Sequence, residues 1–126
     1  MARARGGLRF CLILALLCGG MVAASAQTQA AMDRQATREF HAADHHLNLV
    51  YAQVIAGLDP HRQMLLRQAE RDWVTFRDAE CAFRTAGSEG GTIHPLLVTA
   101  CRTQLTTARA EALAKSVCKA GDPTCQ

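Results

Sequence analysis

The sequence lacks the signals of a β-sheet and of an enzyme active site. No segment alternates apolar and polar residues as a half-buried strand does, and there is no internal repeat. The zinc-protease pattern His-Glu-x-x-His is absent, and no serine lies in the context of a nucleophile elbow. No carboxylate pair occupies a recognisable cleft, and a small helical bundle offers little concavity for a substrate. We therefore expect an all-α protein that is not an enzyme and has no cofactor.

The N-terminal segment has the composition of an export signal. Three arginines precede an apolar run, and residues 24–26 (Ala-Ser-Ala) form a small-residue cleavage site. The run is too short and too interrupted by glycine to make a good membrane span. Leu17 precedes Cys18 where a lipoprotein signal has a small residue, so we expect export and release. We predict a signal peptide at residues 1–26, a helical domain at residues 27–126, and a periplasmic or secreted location.

The charge balance changes when this leader is removed. Cleavage after Ala26 leaves 100 residues, about the size of one small domain. The leader contains three arginines and no acidic residue, so the formal charge of +3 belongs to the precursor and the remaining chain is neutral. Neutrality removes the compositional support for binding nucleic acid or an anionic membrane. We expect no nucleic-acid partner and no membrane span in the mature chain.

Four cysteines remain after cleavage. An even number in so small an exported domain indicates two disulfides, and the absence of a Cys-x-x-Cys pair disfavours metal binding. If the second and third helices fold back around Gly91, Cys81 and Cys101 lie level with each other. That register favours their pairing among the three possible connectivities. Cys118 and Cys125 would then close a short loop near the C-terminus.

Helix one is predicted from a stripe of residues at alternating spacings of four and three, which is typical of a helix packed on others. Residues 27–31 are expected to be a frayed tail before it, and Gly57 offers a stop after it. The stripe consists of Phe40, Asp44, Leu47, Tyr51, Val54 and Leu58.

Helix two is predicted to begin with Asp59 as the N-cap and Pro60 at the first helical position. It should run to about Ala86 and stop at Gly87. Its inward face is expected to carry residues at spacings of three and four. These residues are Leu66, Ala69, Trp73, Phe76 and Glu80, with Arg77 at the edge.

Helix three is predicted to follow a glycine-rich turn, with Thr92 or His94 as its cap and Pro95 in its first turn. It should end near Ser116. Because the connections are short, we expect an up-down-up antiparallel three-helix bundle stapled by disulfides. The residues expected to face inward are Val98, Cys101, Leu105, Ala108 and Ala112.

One layer of this bundle is expected to hold buried charge. The predicted register brings Asp44, Trp73, Arg77 and Arg109 together. An unpaired buried charge is costly, so Asp44 should accept a hydrogen bond from one of the two arginines, and Trp73 should pack against a guanidinium. We interpret the layer, with Asn48 one turn after Asp44, as a structural polar network that sets helix order. A functional charge cluster is the alternative interpretation.

His41 and His45 are four residues apart on one helix face, a spacing that can chelate a metal ion. No third ligand is evident, and an exposed polar face explains these histidines. We therefore predict no metal site.

Two motifs resemble a known family. The first is Trp-x-x-Phe-Arg-Asp-x-x-Cys at residues 73–81, and the second is a cysteine followed by Thr-x-x-Arg, at residues 101–109. Together they resemble the LprI-type lysozyme-inhibitor family, and the resemblance runs from about Phe40 to Leu113. It implies a periplasmic or secreted helical domain with a lysozyme-inhibiting role. The chain differs from LprI in lacking a good lipobox, and its C-terminal cysteine pair is not part of the family pattern.

The resemblance makes lysozyme the expected partner and inhibition the expected role. The alternative is an envelope interaction or stress module without affinity for lysozyme. A lysozyme inhibitor must occlude a cleft that carries two catalytic carboxylates, which hydrogen-bond donors or cations on an exposed loop could do. No oligomeric state follows from the sequence. The candidate partner-binding residues, expected at one end of the bundle, are Ser88, Glu89, Thr92, His94, His41 and His45.

Overall fold

A computed structural model describes the backbone of residues 7–116 and the side chains of residues 28–116. Within this range the chain is helical and has no β-strand, which confirms the all-α prediction. The described residues contain no helix with a stretch long and apolar enough to cross a membrane. Cys118 and Cys125, and with them the predicted second disulfide, lie outside the described residues. The elements are α1 (Gly7–Ala56), α2 (Pro60–Thr85), a 3₁₀ turn (Ala86–Ser88) and α3 (His94–Ser116).

Helix α1 is longer than the sequence pattern predicted. It continues without a break through residues 27–31, so the expectation of a frayed tail there is wrong. The local reason is helix-favouring composition, because this stretch is rich in alanine and glutamine. A hydrogen bond of 2.9 Å from Gln29 Nε2 to Asp33 Oδ1 also links successive turns of the helix.

Helix α2 begins as its sequence predicted. The carboxylate of Asp59 accepts a hydrogen bond of 3.0 Å from the backbone N–H of Arg62, and Pro60 occupies the first turn. This cap satisfies one of the N–H groups that a helix start leaves without a partner. The helix ends at Thr85, one residue before the predicted end.

The disulfide between Cys81 and Cys101 is present, which confirms that pairing and the register from which it was predicted. Farther along, Arg77 Nη1 donates to Thr106 Oγ1 and Arg109 contacts Glu70. As the residue number rises along α3 from Cys101 to Thr106 to Arg109, the number of the partner on α2 falls. The two helices therefore run in opposite directions.

The apolar core lies mainly between α1 and α3. Val54 and Leu113 are almost fully buried in it, and burial of each such side chain contributes about 1.5–3 kcal/mol before entropy is counted. Helix α2 covers one side of this core. The cluster consists of Leu47, Val50, Val54, Ala110 and Leu113, with Tyr51, Leu58, Leu66 and Trp73 packed against it.

Two predicted helix faces are rotated in the structure. On α2 the buried residues are Arg77, Cys81 and Thr85, whereas Phe76 is 55% exposed and Ala69 is also exposed. Since each residue turns a helix by about 100°, Phe76 lies roughly 140° from Cys81, whose bond to α3 orients the helix. The assignment of Phe76 and Ala69 to the inward face is therefore wrong.

On α3 the expected inward residues Ala108 and Ala112 are exposed. Thr106, Ala110 and Leu113 are buried instead. A hydroxyl is buried here because the side chain of Arg77 needs an acceptor. Apolar character alone could not reveal that requirement.

Candidate functional site

The guanidinium of Arg77 is buried between two aromatic rings. Its Cζ lies 5.4 Å from the ring centroid of Phe40 on α1 and 5.3 Å from that of Trp73 on α2. Only 8% of Arg77 is exposed. Cations within about 6 Å of a ring face are attracted to its electrons, an effect that grows when water is excluded. The stack therefore holds α1 against α2 at the level of Arg77.

Arg77 also has two hydrogen-bond acceptors. Its Nε donates to Asp78 Oδ1 at 3.0 Å, and its Nη1 donates to the buried Thr106 Oγ1 at 3.4 Å. The same Asp78 oxygen lies 3.2 Å from Arg102 Nε, although that contact lacks hydrogen-bond geometry and leaves Arg102 Nε without a hydrogen-bond partner. One carboxylate thus faces two cations, which offsets part of the cost of burying Arg77.

A second arginine lies against the same tryptophan. Arg109 of α3 has its Cζ 5.9 Å from the ring centroid of Trp73, and its Nε donates to Glu70 Oε1 at 3.0 Å. Trp73 therefore contacts two guanidinium groups, and each of these has a carboxylate partner. The structure brings Trp73, Arg77 and Arg109 together, as the predicted register requires.

The prediction that Asp44 accepts a hydrogen bond from Arg77 or Arg109 is wrong. Asp44 is half-buried on α1, and its Oδ2 accepts a hydrogen bond of 3.2 Å from Asn48 of the same helix. Arg77 and Arg109 instead pair with Asp78 and Glu70. A carboxylate on α2 beside each arginine satisfies the charge more directly than one reaching across from α1.

Sequence reasoning missed both carboxylates, although a signal for one of them was present. The fold-back around Gly91 that places Cys81 level with Cys101 also places Trp73 level with Arg109. Glu70 is only three residues from Trp73 along α2. Asp78 follows Arg77 directly, and residues adjacent along a helix are not usually regarded as partners. Every guanidinium in this layer faces a carboxylate, so the geometry indicates a scaffold that holds three helices in register.

The loop between α2 and α3 is closed at its base by covalent and hydrogen bonds. The Cys81–Cys101 disulfide joins the two helices just below it, and the buried Thr85 Oγ1 donates to the carbonyl of Cys81 at 2.8 Å. Gly90 has a φ of 79°, a conformation that favours glycine. These constraints leave the loop little conformational freedom.

Ser88 and His94 hold the two sides of the loop together. Ser88 Oγ donates to the carbonyl of Thr85 at 2.7 Å and lies 2.9 Å from His94 Nδ1. A hydroxyl has a single proton, so His94 Nδ1 must be the donor in the second contact. A neutral His94 then keeps Nε2 as an acceptor. Both residues are half-buried, and their side chains bond each other.

The other two predicted loop residues are free of such constraints. Glu89 and Thr92 are exposed at the tip, and Ile93 beside them exposes 39% of its surface. Glu89 contributes its backbone N–H to the turn through a bond of 3.1 Å to the carbonyl of Ala86. The tip thus presents a carboxylate, a hydroxyl and an apolar side chain on a fixed backbone.

The histidines of α1 do not lie beside this loop. Phe40 packs against Arg77, and α2 continues for two more turns before the loop begins. Val54 of α1 shares a groove with Leu66 of α2, whereas Phe40 lies beside Arg77, so α1 and α2 run in opposite directions. His41 and His45 therefore lie still farther from the loop tip, roughly 15 Å or more along the helix axis from Ser88. The expectation that these histidines share one end of the bundle with the loop is wrong.

Both histidines are exposed. Over the residues that the structure describes, no group of three or more His, Cys, Asp or Glu side chains could hold a metal ion.

A shallow groove lies at the opposite end, where the α1–α2 connection meets the end of α3. Its volume is about 190 Å³, below the roughly 300–1,000 Å³ of typical small-molecule sites. It is mostly apolar, and none of its described lining residues carries a carboxylate. The lining residues are Val54, Leu58, Arg62, Leu65, Leu66 and Ser116.

Comparisons with known proteins show what this chain is similar to. An uncharacterized protein of Rhizobium meliloti (strain 1021) is 30% identical over an alignment of 87 residues, which covers 59% of this chain and 63% of the relative. The chain thus spans slightly less than two thirds of that relative's length. No solved structure matches the chain at a significant level.

The family comparison is more extensive. Residues 21–113 match the sequence profile described as "Lysozyme inhibitor LprI". This range contains the disulfide and the loop from Ala86 to Ile93. It also contains the layer formed by Trp73, Arg77 and Arg109, which we call the Arg77 layer. The matched segment covers most of the chain and includes both motifs that resemble the family, so the chain belongs to the LprI lysozyme-inhibitor family.

Proposed function

We propose that this protein is an exported, non-enzymatic inhibitor that binds lysozyme. The observation that carries the proposal is the match of residues 21–113 to the LprI lysozyme-inhibitor family. That family is named for inhibition rather than for catalysis, and the residues of the Arg77 layer are already engaged with one another. The N-terminal arginines, apolar run and small-residue cleavage site favour a periplasmic or secreted location, where a lysozyme would be met.

The loop from Ala86 to Ile93 is the surface that we propose for binding. Its conformation is restrained by the disulfide, by the Ser88–His94 hydrogen bond and by the turn at Gly90. A loop that is already ordered loses less entropy on binding, so more of its contact energy appears as affinity. Rigidity of this kind suits a segment that must enter a cleft.

The chemistry of the loop tip constrains how it would enter. A lysozyme cleft carries two carboxyl groups, one of them a protonated general acid. The Thr92 hydroxyl can donate to the ionised group, and Nε2 of His94 can accept from the protonated one when the imidazole is neutral. Glu89 would be repelled by an ionised carboxylate, so it should face a donor on the rim of the cleft. His41 and His45 would belong to a separate surface.

Lysis assays test this proposal. Purified oxidised protein is incubated with lysozymes of several types, and the turbidity of a peptidoglycan suspension is followed over time. The protein should slow lysis by at least one lysozyme and hydrolyse nothing itself. Absence of inhibition across lysozyme types, with folding and the disulfide verified, would leave an envelope module without lysozyme affinity as the better interpretation.

Substitutions in the loop test the surface. Thr92→Ala and Glu89→Ala should weaken inhibition and leave the helical circular dichroism signal unchanged. Thr75→Ala is the matched control, because Thr75 is an exposed threonine on α2 away from the loop. Equal loss of inhibition in Thr75→Ala and Thr92→Ala would place the binding surface elsewhere.

A further inference from the structure

The outer face of α2 exposes three large apolar side chains in one direction. Leu65, Phe76 and Phe83 are 53%, 55% and 79% exposed. At about 100° per residue these positions fall within roughly 20° of one another, and Phe83 points about 160° away from Cys81. They therefore form a straight row on the side opposite the disulfide, about 27 Å long.

Smaller residues complete this row into a heptad pattern. Alternating steps of four and three lead from Leu65 to Phe83 through Ala69, Asp72, Phe76 and Ala79, and all of these residues are exposed. We call these six residues the outer stripe. Such spacing on a free helix face is the pattern by which one helix packs against another. Most of it is not used inside the bundle, because α2 packs on its neighbours through Arg77, Cys81 and Thr85. Leu65, at one end of the outer stripe, also borders the groove at the α1–α2 connection.

The order of large and small side chains along the outer stripe points to a second copy of α2 as its partner. Read in either direction, it begins with a large apolar residue, continues with alanine, and has Asp72 and Phe76 at its centre. Two copies placed antiparallel about a two-fold axis bring Leu65 of one copy opposite Phe83 of the other. The same register places Ala69 opposite Ala79. Large residues thus meet large ones at both ends, and alanines allow close approach between them.

We propose that the outer stripe is a homodimer interface, in which α2 of one copy packs antiparallel on α2 of a second copy. The exposed fractions of the two phenylalanine rings correspond to roughly 200–300 Å² per copy. With Leu65 and the alanines, the total for both copies stays below the roughly 1,200 Å² of stable interfaces. The dimer is therefore weak and depends on concentration. This inference does not depend on lysozyme binding.

Asp72 limits the strength of this dimer. In the antiparallel register the Asp72 residues of the two copies are offset by only about 6 Å along the helix axis. Each carboxylate accepts a hydrogen bond from Gln68 of its own helix. Within the part of the chain that the structure describes, Asp72 forms no ion pair. Two like charges at this spacing repel each other, and each one loses water on association. Removal of Asp72 should therefore strengthen association, whereas removal of the rings should weaken it.

Sedimentation velocity of the purified oxidised protein, from about 1 μM to about 1 mM, tests the proposal. The double variant Phe76→Ser with Phe83→Ser should lower the association constant by at least about tenfold, and Asp72→Ala should raise it. Met64→Ser is the matched control. Met64 is 57% exposed on α2, like Phe76, but points about 120° away from it. All these side chains are exposed, and circular dichroism verifies that each variant is folded.

Four outcomes would overturn the homodimer. These are a monomer at every concentration, an equal loss of association in Met64→Ser, unchanged association in the double variant, and failure of Asp72→Ala to tighten the dimer. A monomer whose double variant loses lysozyme inhibition would also overturn it and would assign the outer stripe to a different protein. Loss of dimerisation with inhibition retained supports the homodimer and keeps the two surfaces separate.

Discussion

Arg109 of α3 donates hydrogen bonds from both Nε and Nη2 to a single carboxylate oxygen of Glu70 on α2. The two residues are 39 positions apart in the chain, and their side chains are only 23% and 17% exposed. The pair thus joins two helices in a place where water competes weakly for the charges. Arg109 also lies against the ring of Trp73, so the ion pair helps to fix the packing of that residue.

The Glu70–Arg109 pair should contribute more to stability than an exposed pair on the same helix. Glu70→Gln keeps the side-chain shape and removes its charge, which leaves Arg109 poorly compensated. We expect the free energy of unfolding to fall by about 1.5–3 kcal/mol, the range for hydrogen bonds to charged groups. Urea denaturation followed by circular dichroism measures this change.

The control for that prediction is Glu80→Gln. Glu80 pairs with Arg84 one turn away on the surface of α2, where the arginine side chain is 46% exposed. Pairs of this kind contribute about 0–1 kcal/mol. Equal destabilisation by the two variants would mean that the Glu70–Arg109 pair is solvated.

Asp44→Ala should have little effect on stability. Asp44 accepts a hydrogen bond only from Asn48 within α1 among the contacts that the structure describes. Pairs at this spacing on a helix contribute about 0.2–0.5 kcal/mol. We therefore expect a loss of at most about 0.5 kcal/mol in thermal or urea unfolding. A loss of about 3–5 kcal/mol would instead mean that Asp44 balances a buried arginine.

Removal of the Cys81–Cys101 bridge should destabilise the fold strongly. The double substitution Cys81→Ser with Cys101→Ser releases a loop of 20 residues, and the chain-entropy estimate for such a loop is about 3 kcal/mol. Urea denaturation of the variant and of the oxidised protein measures the difference. An unchanged unfolding midpoint would show that the bridge adds nothing to stability.

Peptide mapping under non-reducing conditions tests the remaining cysteines. We expect one linked peptide pair containing Cys81 and Cys101 and a second link between Cys118 and Cys125. A link from Cys81 to Cys118 would contradict both the helix register and the predicted C-terminal loop.

Truncation of Trp73 should destabilise the fold strongly, whereas truncation of Phe83 should change its stability very little. Trp73→Ala removes a ring that contacts two guanidinium groups and the apolar core, and we expect a loss of about 3 kcal/mol with inhibition lost as the fold is lost. Phe83→Ala alters a ring that is 79% exposed, and the change should stay within about 0.5 kcal/mol. Thermal unfolding of the two variants at about 1 μM, where the weak homodimer is dissociated, provides the comparison. A similar loss in both would mean that Phe83 is covered within a single copy.

Much of the fold follows from short segments of sequence. Asp59 and Pro60 start α2 because a cap acts within a single turn. The turn before α3 is equally local, because Gly90 has a positive φ that favours glycine. The Cys81–Cys101 pairing could also be predicted, because antiparallel helices joined by a short turn have few possible registers. The partner-binding role of the loop residues remains a prediction.

The sequence alone thus determined the helical class, the start of α2, the Cys81–Cys101 disulfide and the family. The tertiary structure decided which residue of each helix faces inward and which carboxylate pairs with each arginine. A shift of one residue rotates a side chain by about 100°, so a pattern that is correct in spacing can still point Phe76 outward and Arg77 inward. That choice depends on how α2 is rotated and shifted against α1 and α3. It is the disulfide, the Phe40–Arg77–Trp73 stack and the Glu70–Arg109 pair that together set this rotation.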